Sequence, residues 1–137
     1  MSVIPCPTGE EMQRIMADQP SPEEIEALLQ RATGYKIEGN YEAAERELRT
    51  LLDLAPDSAP AHHQLGLVFG FTGLFDESLE ELKRSVELDG TALQARNDLA
   101  LTYTMLGMPD EAKREFEAVL ELDPTNPVAQ RNMVYFQ

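Results

Sequence analysis

Small and bulky apolar positions return along this chain at a fixed interval of 34 residues. Small residues recur at Ala32, Gly66 and Ala100, and again at Ala44, Ser78 and Ala112. Bulk recurs at Tyr35, Phe69 and Tyr103, and at Leu48, Leu82 and Phe116; Leu51, Ser85 and Val119 keep the same phase. Breakers share the interval, with Gly39, Gly73 and Gly107 in one register and Pro56, Gly90 and Pro124 in another. An ungapped period of this length is the signature of stacked two-helix units, each unable to bury its apolar face alone.

Each register has a structural role. The small residues stand where two helices must approach closely, and the bulky ones fill the space between layers. The glycines end the first helix of each unit in a left-handed turn. The Pro/Gly/Pro register stops the second helix. First helices are thus expected over 22–38, 58–72 and 91–106, and second helices over 41–54, 75–89 and 109–123. Ser21-Pro22-Glu23-Glu24 supplies an N-cap, a proline at the first helical position and a capping-box Glu. Met108-Pro109 and Asn126-Pro127 start helices in the same way, the last running to about Phe136. Its apolar end, Met133, Val134, Tyr135 and Phe136, either packs on the preceding unit or seeds a dimer.

Residues 1–20 precede the repeats. Thr8-Gly9-Glu10-Glu11 can cap a short helix with Met12, Ile15 and Met16 on one face. Such a helix would cover the open side of the first unit or occupy the binding groove, and the first of these is the expected arrangement.

At these residues the chain resembles the tetratricopeptide-repeat family. Leu65-Gly66 and Phe69 in the second copy, and Leu99-Ala100, Tyr103, Ala112, Phe116 and Pro124 in the third, follow that family's pattern. The first copy departs from it, with Arg31-Ala32 in place of Leu-Gly, which suits a terminal repeat facing water. The resemblance implies an all-α solenoid of three helix-turn-helix repeats, about 25–58, 59–92 and 93–126, within a domain spanning 21–137. A capping helix over about 127–136 and a short N-terminal arm complete it.

Charge narrows the partner. The sequence has 25 acidic and 11 basic residues, a net charge of −14, which argues against nucleic acid, since phosphates demand Lys and Arg. The second helices carry 16 acidic and six basic residues, while the first and terminal helices carry five and four. The family places first helices on the concave face, so most of the acidity is expected outside, laced with helical pairs such as Glu45–Arg49 and Glu80–Arg84.

The resemblance also implies that concave positions of the first helices bind. Register puts Thr33, Leu67 and Leu101 in one row and Ile37, Phe71 and Met105 in another. A polar row follows, Gln30, Gln64, Asp98 and Asn132, with His63, Asn97 and Arg131 beside it. Apolar side chains on a concave surface are costly to leave wet, and carboxamides at repeat spacing can pair with a peptide backbone. The alternatives for these rows are packing between repeats and solvated helix faces. The family's carboxylate clamp is not expected, because its matching positions (Leu29, Thr33, Gln64, Gln94 and Asp98) carry no cation.

Catalytic chemistry has no foothold in the sequence. His62 and His63 are adjacent on one helix and diverge in direction, so they do not chelate one metal; one is expected to pack and the other to face the groove. The single cysteine, Cys6, allows no internal disulfide. No stretch has the apolar length of a membrane helix, and Met1-Ser2-Val3-Ile4-Pro5 does not begin a signal peptide. The expectation is a non-enzymatic, cytoplasmic adaptor without cofactor or metal that holds an apolar or basic protein segment. It is broadly similar to small three-repeat bacterial chaperones. The alternative is a self-associating scaffold, dimeric through its C-terminal helix.

Overall fold

The computed structural model describes residues 5–17 and 19–136, without the side chain of Met16, and among them the regular structure is entirely helical. The reading of the first four residues as no leader, and Met16 as part of an apolar face, lie outside what is described. In chain order the helices are α1 (Gly9–Ala17), α2 (Pro22–Glu38), α3 (Tyr41–Leu54), α4 (Ala59–Phe71), α5 (Phe75–Leu88), α6 (Leu93–Met105), α7 (Pro109–Leu122) and α8 (Pro127–Met133). A 3₁₀ turn, Val134–Phe136, follows α8. The pairs α2/α3, α4/α5 and α6/α7 form hairpins, each stacked on the next, and α8 closes the stack against α7.

The turns follow from single residues. Gly39, Gly73 and Gly107 have φ of +83°, +81° and +74°, a conformation that costs other residues a Cβ clash. That conformation lets Asn40 N–H donate to the Tyr35 carbonyl oxygen, Leu74 N–H to that of Phe69 and Met108 N–H to that of Tyr103, capping the carbonyls at each helix end. At the other edge, Asp89 Oδ1 accepts from Thr91 N–H at 3.0 Å and Thr91 Oγ1 at 2.6 Å, and Asp123 repeats the turn with Thr125. Ser21, Asn40, Ser58 and Asn126 cap α2, α3, α4 and α8 through their side chains.

The small registers are buried contacts. A Cβ on Gly66 would lie 2.8 Å from Leu82 Cγ, and Ser78 Oγ donates to the Gly66 carbonyl oxygen at 2.7 Å. The core falls into two clusters. One joins Leu28, Ala32, Leu48, Leu51, Leu65, Val68 and Phe69 across the first two hairpins; the other joins Ala100, Phe116, Val119 and Ala129 across the third and α8.

Three expectations are corrected here. Helix α1 does not lie over the first repeat or in the groove: its described side chains are exposed, Met12 and Ile15 included. The capping box does form, with Thr8 Oγ1 accepting from Glu11 N–H and Glu11 Oε2 from Thr8 N–H. On α5, Arg84 pairs with Asp57 at 3.1 Å and Glu87 at 3.6 Å rather than with Glu80, because the preceding inter-repeat turn brings Asp57 within reach. Glu45–Arg49 forms as expected, at 2.8 Å. At the C-terminus the apolar end divides: Met133 and Phe136 pack on the second cluster, Phe136 lying 6.2 Å from the Phe116 ring, while Val134 and Tyr135 face solvent.

Candidate functional site

Helices α2, α4 and α6 lie side by side and share one face of the stack. The apolar row ends on that face in three exposed side chains, Ile37, Phe71 (60 % exposed) and Met105 (62 % exposed). Between the second and third hairpins Leu67, Phe71, Phe75, Leu101 and Met105 line a cleft of about 250 Å³, floored by Gly66, Gly70 and Leu82. Two register positions set this junction apart from the one between the first and second hairpins. Repeat one has Lys36 where repeat two has Gly70, so the floor of the second junction lacks a side chain. Phe71 also stacks on Tyr41 at 5.6 Å across the first junction, whereas across the second the corresponding row position is Met105.

Beside the cleft lies a hollow of about 350 Å³ in which Lys36, His63, Gln64, Gln94 and Asp98 share the lining with Leu67, Leu101 and Val128. Its members are tied to one another across repeats. Lys36 Nζ donates to Gln64 Oε1 at 2.5 Å, and His63 Nε2 lies 2.7 Å from Asp98 Oδ2. Partial burial holds the Lys36 ammonium below its usual range, while the Asp98 charge acts in the opposite direction. Lys36 is the cation that sequence reasoning missed. The clamp-matching positions indeed carry none, but a four-carbon side chain from the last turn of α2 reaches in from outside them.

The remaining polar candidates are scattered in their commitments. Gln30 bonds Glu26 within its own helix, Thr33 Oγ1 donates to the Leu29 carbonyl oxygen and Asn132 Nδ2 to that of Val128; Arg131 is exposed. Asn97 is 6 % exposed and belongs to the interior: its Nδ2 donates to Asn126 Oδ1, the oxygen that also caps α8 through Ala129 N–H. That cap fixes Asn126's oxygen towards Asn97, so the Asn97 amide must present its nitrogen and its own Oδ1 is left buried without a partner.

His62 is held between Glu81 and the Pro56 carbonyl oxygen, at 2.6 and 2.8 Å, tying α4 to α5 and to the preceding turn. His63 faces the hollow, and among the described residues its second ring nitrogen makes no hydrogen bond to a hydroxyl or thiol that it could activate. No group of three or more His, Cys, Asp or Glu among the described residues is arranged to hold a metal ion. No described helix is long and apolar enough to cross a membrane.

Two family models, both described as tetratricopeptide repeat, match residues 25–58, 59–91 and 94–126. None of the curated proteins compared with the chain matches it. Among solved structures, the first such domain of Spaghetti (RPAP3), bound to an HSP90 peptide, superposes with a TM-score of 0.80 at 19% identity, over 86% of this chain and 94% of that one. PcrH in complex with the chaperone binding region of PopB gives 0.73 at 21% identity, over 82% of this chain and 94% of that one. A mutant O-GlcNAc transferase from Thermobaculum terrenum gives 0.69 at 31% identity, over 73% of this chain but only 19% of that chain. The first two likenesses are likenesses of fold. With three consecutive matches covering most of its length, the chain belongs to the tetratricopeptide-repeat family.

Proposed function

We propose that this chain is a non-enzymatic, cytoplasmic adaptor that holds a segment of a partner protein on the face of α2, α4 and α6, in the manner of a small chaperone. The observation that carries this reading is the cleft beside Phe71 and Met105. Two large apolar side chains stand more than half exposed at its rim, over a floor opened by glycine. Apolar surface gathered in this way is stabilised by being covered. Solved relatives of the same fold support it from outside: one holds an HSP90 peptide and another the chaperone binding region of PopB.

The test is affinity capture from the native host's lysate by wild type and by a Phe71→Glu, Met105→Glu double variant, with circular dichroism to confirm equal helicity. A protein retained by the first and lost by the second supports the groove. Identical captures would exclude it. A second reading, self-association, draws on Tyr135, which is 81 % exposed beside Val134 on the terminal turn. Light scattering over a concentration series separates the two, since only self-association raises the mass and only it would yield to Tyr135→Ser.

A further inference from the structure

The apolar row ends where each first helix turns into the second, and those turns are acidic. Glu38 follows Ile37, Asp76 follows Phe75, and Asp110 is the second residue of α7, a few residues beyond Met105. All three carboxylates are exposed, and among the described residues none has a basic partner. Their neighbours do: Glu42 has Arg46 at 3.8 Å and Glu111 has Arg114 at 3.6 Å. At the opposite edge Asp57 and Glu87 share Arg84, and Asp89 and Asp123 accept hydrogen bonds from Thr91 and Thr125. Asp53 and Glu121 are exposed there too without a basic partner among the described residues, but at the far ends of α3 and α7 from the apolar row. Lys36 is the cation beside the cleft, and it is engaged by Gln64.

An exposed apolar row with unpaired carboxylates along one side has a complement of definite chemistry. We propose that the segment held on this face is amphipathic and basic. Its apolar side chains lie on Ile37, Phe71 and Met105, and its Lys or Arg side chains lie against Glu38, Asp76 and Asp110. The inference rests on the groove reading above and adds to it the charge of the occupant. Asp76 and Asp110 lie in the first turns of α5 and α7, and like charges repeated at successive turns favour a cationic segment alongside them. An acidic segment would meet repulsion at each turn.

Short labelled peptides with leucine at i, i+3, i+4 and i+7 and with lysine, glutamine or glutamate at every other position test this by fluorescence anisotropy on the intact chain. The lysine peptide is expected to bind about tenfold more tightly than the glutamine peptide at low salt, an advantage lost at high salt. Glu38→Gln, Asp76→Asn, Asp110→Asn together should erase that advantage, and Asp53→Asn with Glu121→Gln on the opposite edge should preserve it. Equal binding of the lysine and glutamine peptides, or equal loss in both neutralised variants, overturns the proposal. Phe71→Ser, Met105→Ser reports on the groove separately. If it weakens the glutamine peptide while no charge preference exists, the groove stands and only its charge assignment falls. If it weakens no peptide, the groove reading falls and this proposal with it.

Discussion

Phe71 stacks on Tyr41 with ring centroids 5.6 Å apart and planes inclined by 21°, so the last residue of α4 in the second repeat leans on the first residue of α3 in the first. The contact joins repeats through a side chain that is otherwise exposed. Tyr41→Ala should therefore cost about 0.5–1.5 kcal/mol beyond its lost burial and raise the mobility of Phe71. Urea unfolding gives the first quantity, and fluorine NMR of labelled phenylalanine the second.

Two glycines on α4 should respond oppositely to alanine. At Gly66 the new methyl group would press on the buried Leu82 side chain at 2.8 and 2.9 Å, an overpacking of about 1–3 kcal/mol. At Gly70 the nearest atom is Ser78 Oγ at 3.5 Å, an ordinary contact, and relief of helical glycine should add about 0.5–1 kcal/mol. Opposite shifts in the urea midpoint are expected, and shifts of the same sign would count against this packing.

The cleft should close when its register is made to match the first junction. Gly70→Lys with Met105→Phe places a side chain on the floor and a ring at the rim, and the pair should cut the fluorescence of bound bis-ANS by at least half. Unchanged dye binding would locate the accessible apolar surface elsewhere, such as Met12 and Ile15 on α1.

At alkaline pH two groups pull in opposite directions. Burial lowers the Lys36 pKa from 10.5, so between its folded value and 10.5 the unfolded chain binds more protons and stability rises with pH. Burial raises the Tyr103 phenol above 10.0, so the folded chain keeps its proton longer and stability falls as pH climbs past 10.0. Lys36→Met should remove the rise alone, so wild type should gain on that variant between neutral pH and pH 10.5. Tyr103→Phe should remove the fall. Urea titrations of the three proteins at both pH values decide it.

Asn126 serves two partners with one oxygen, the Ala129 N–H of its own helix and the buried Asn97 amide. Asn126→Ala should cost about 1–2 kcal/mol for the cap, with the stranded Asn97 adding to it. Asn126→Asp keeps an acceptor for both donors and should cost less. Hydrogen exchange at Ala129 and Gln130 would show the cap loosening directly.

The fold was legible because its determinants are local. Gly39, Gly73 and Gly107 each announce a left-handed turn by lacking a side chain, and a period of 34 residues says how often it returns. The apolar row was legible for the same reason, since register fixes where the Cβ atoms of Ile37, Phe71 and Met105 sit. Lys36 and Asn97 were not. Register carries no information about the far end of a long side chain, which in Lys36 crosses to Gln64 on the next repeat. Asn97 looks like a surface amide until Asn126, 29 residues later, is folded onto it. Helix α1 shows the opposite limit: a sound cap and an apolar face predict a helix but do not supply a surface for it to rest on.

The glycines under the cleft have a consequence for how it could be filled. Across that junction α5 packs on α6 as extensively as α3 packs on α4, and Leu82, Ala95 and Leu99 are buried. The cleft is thus a gap in a closely packed joint, left where Gly66 and Gly70 bring no side chain. A side chain entering between Phe71 and Met105 would meet walls already in place, and little ordering of the stack would be needed to receive it.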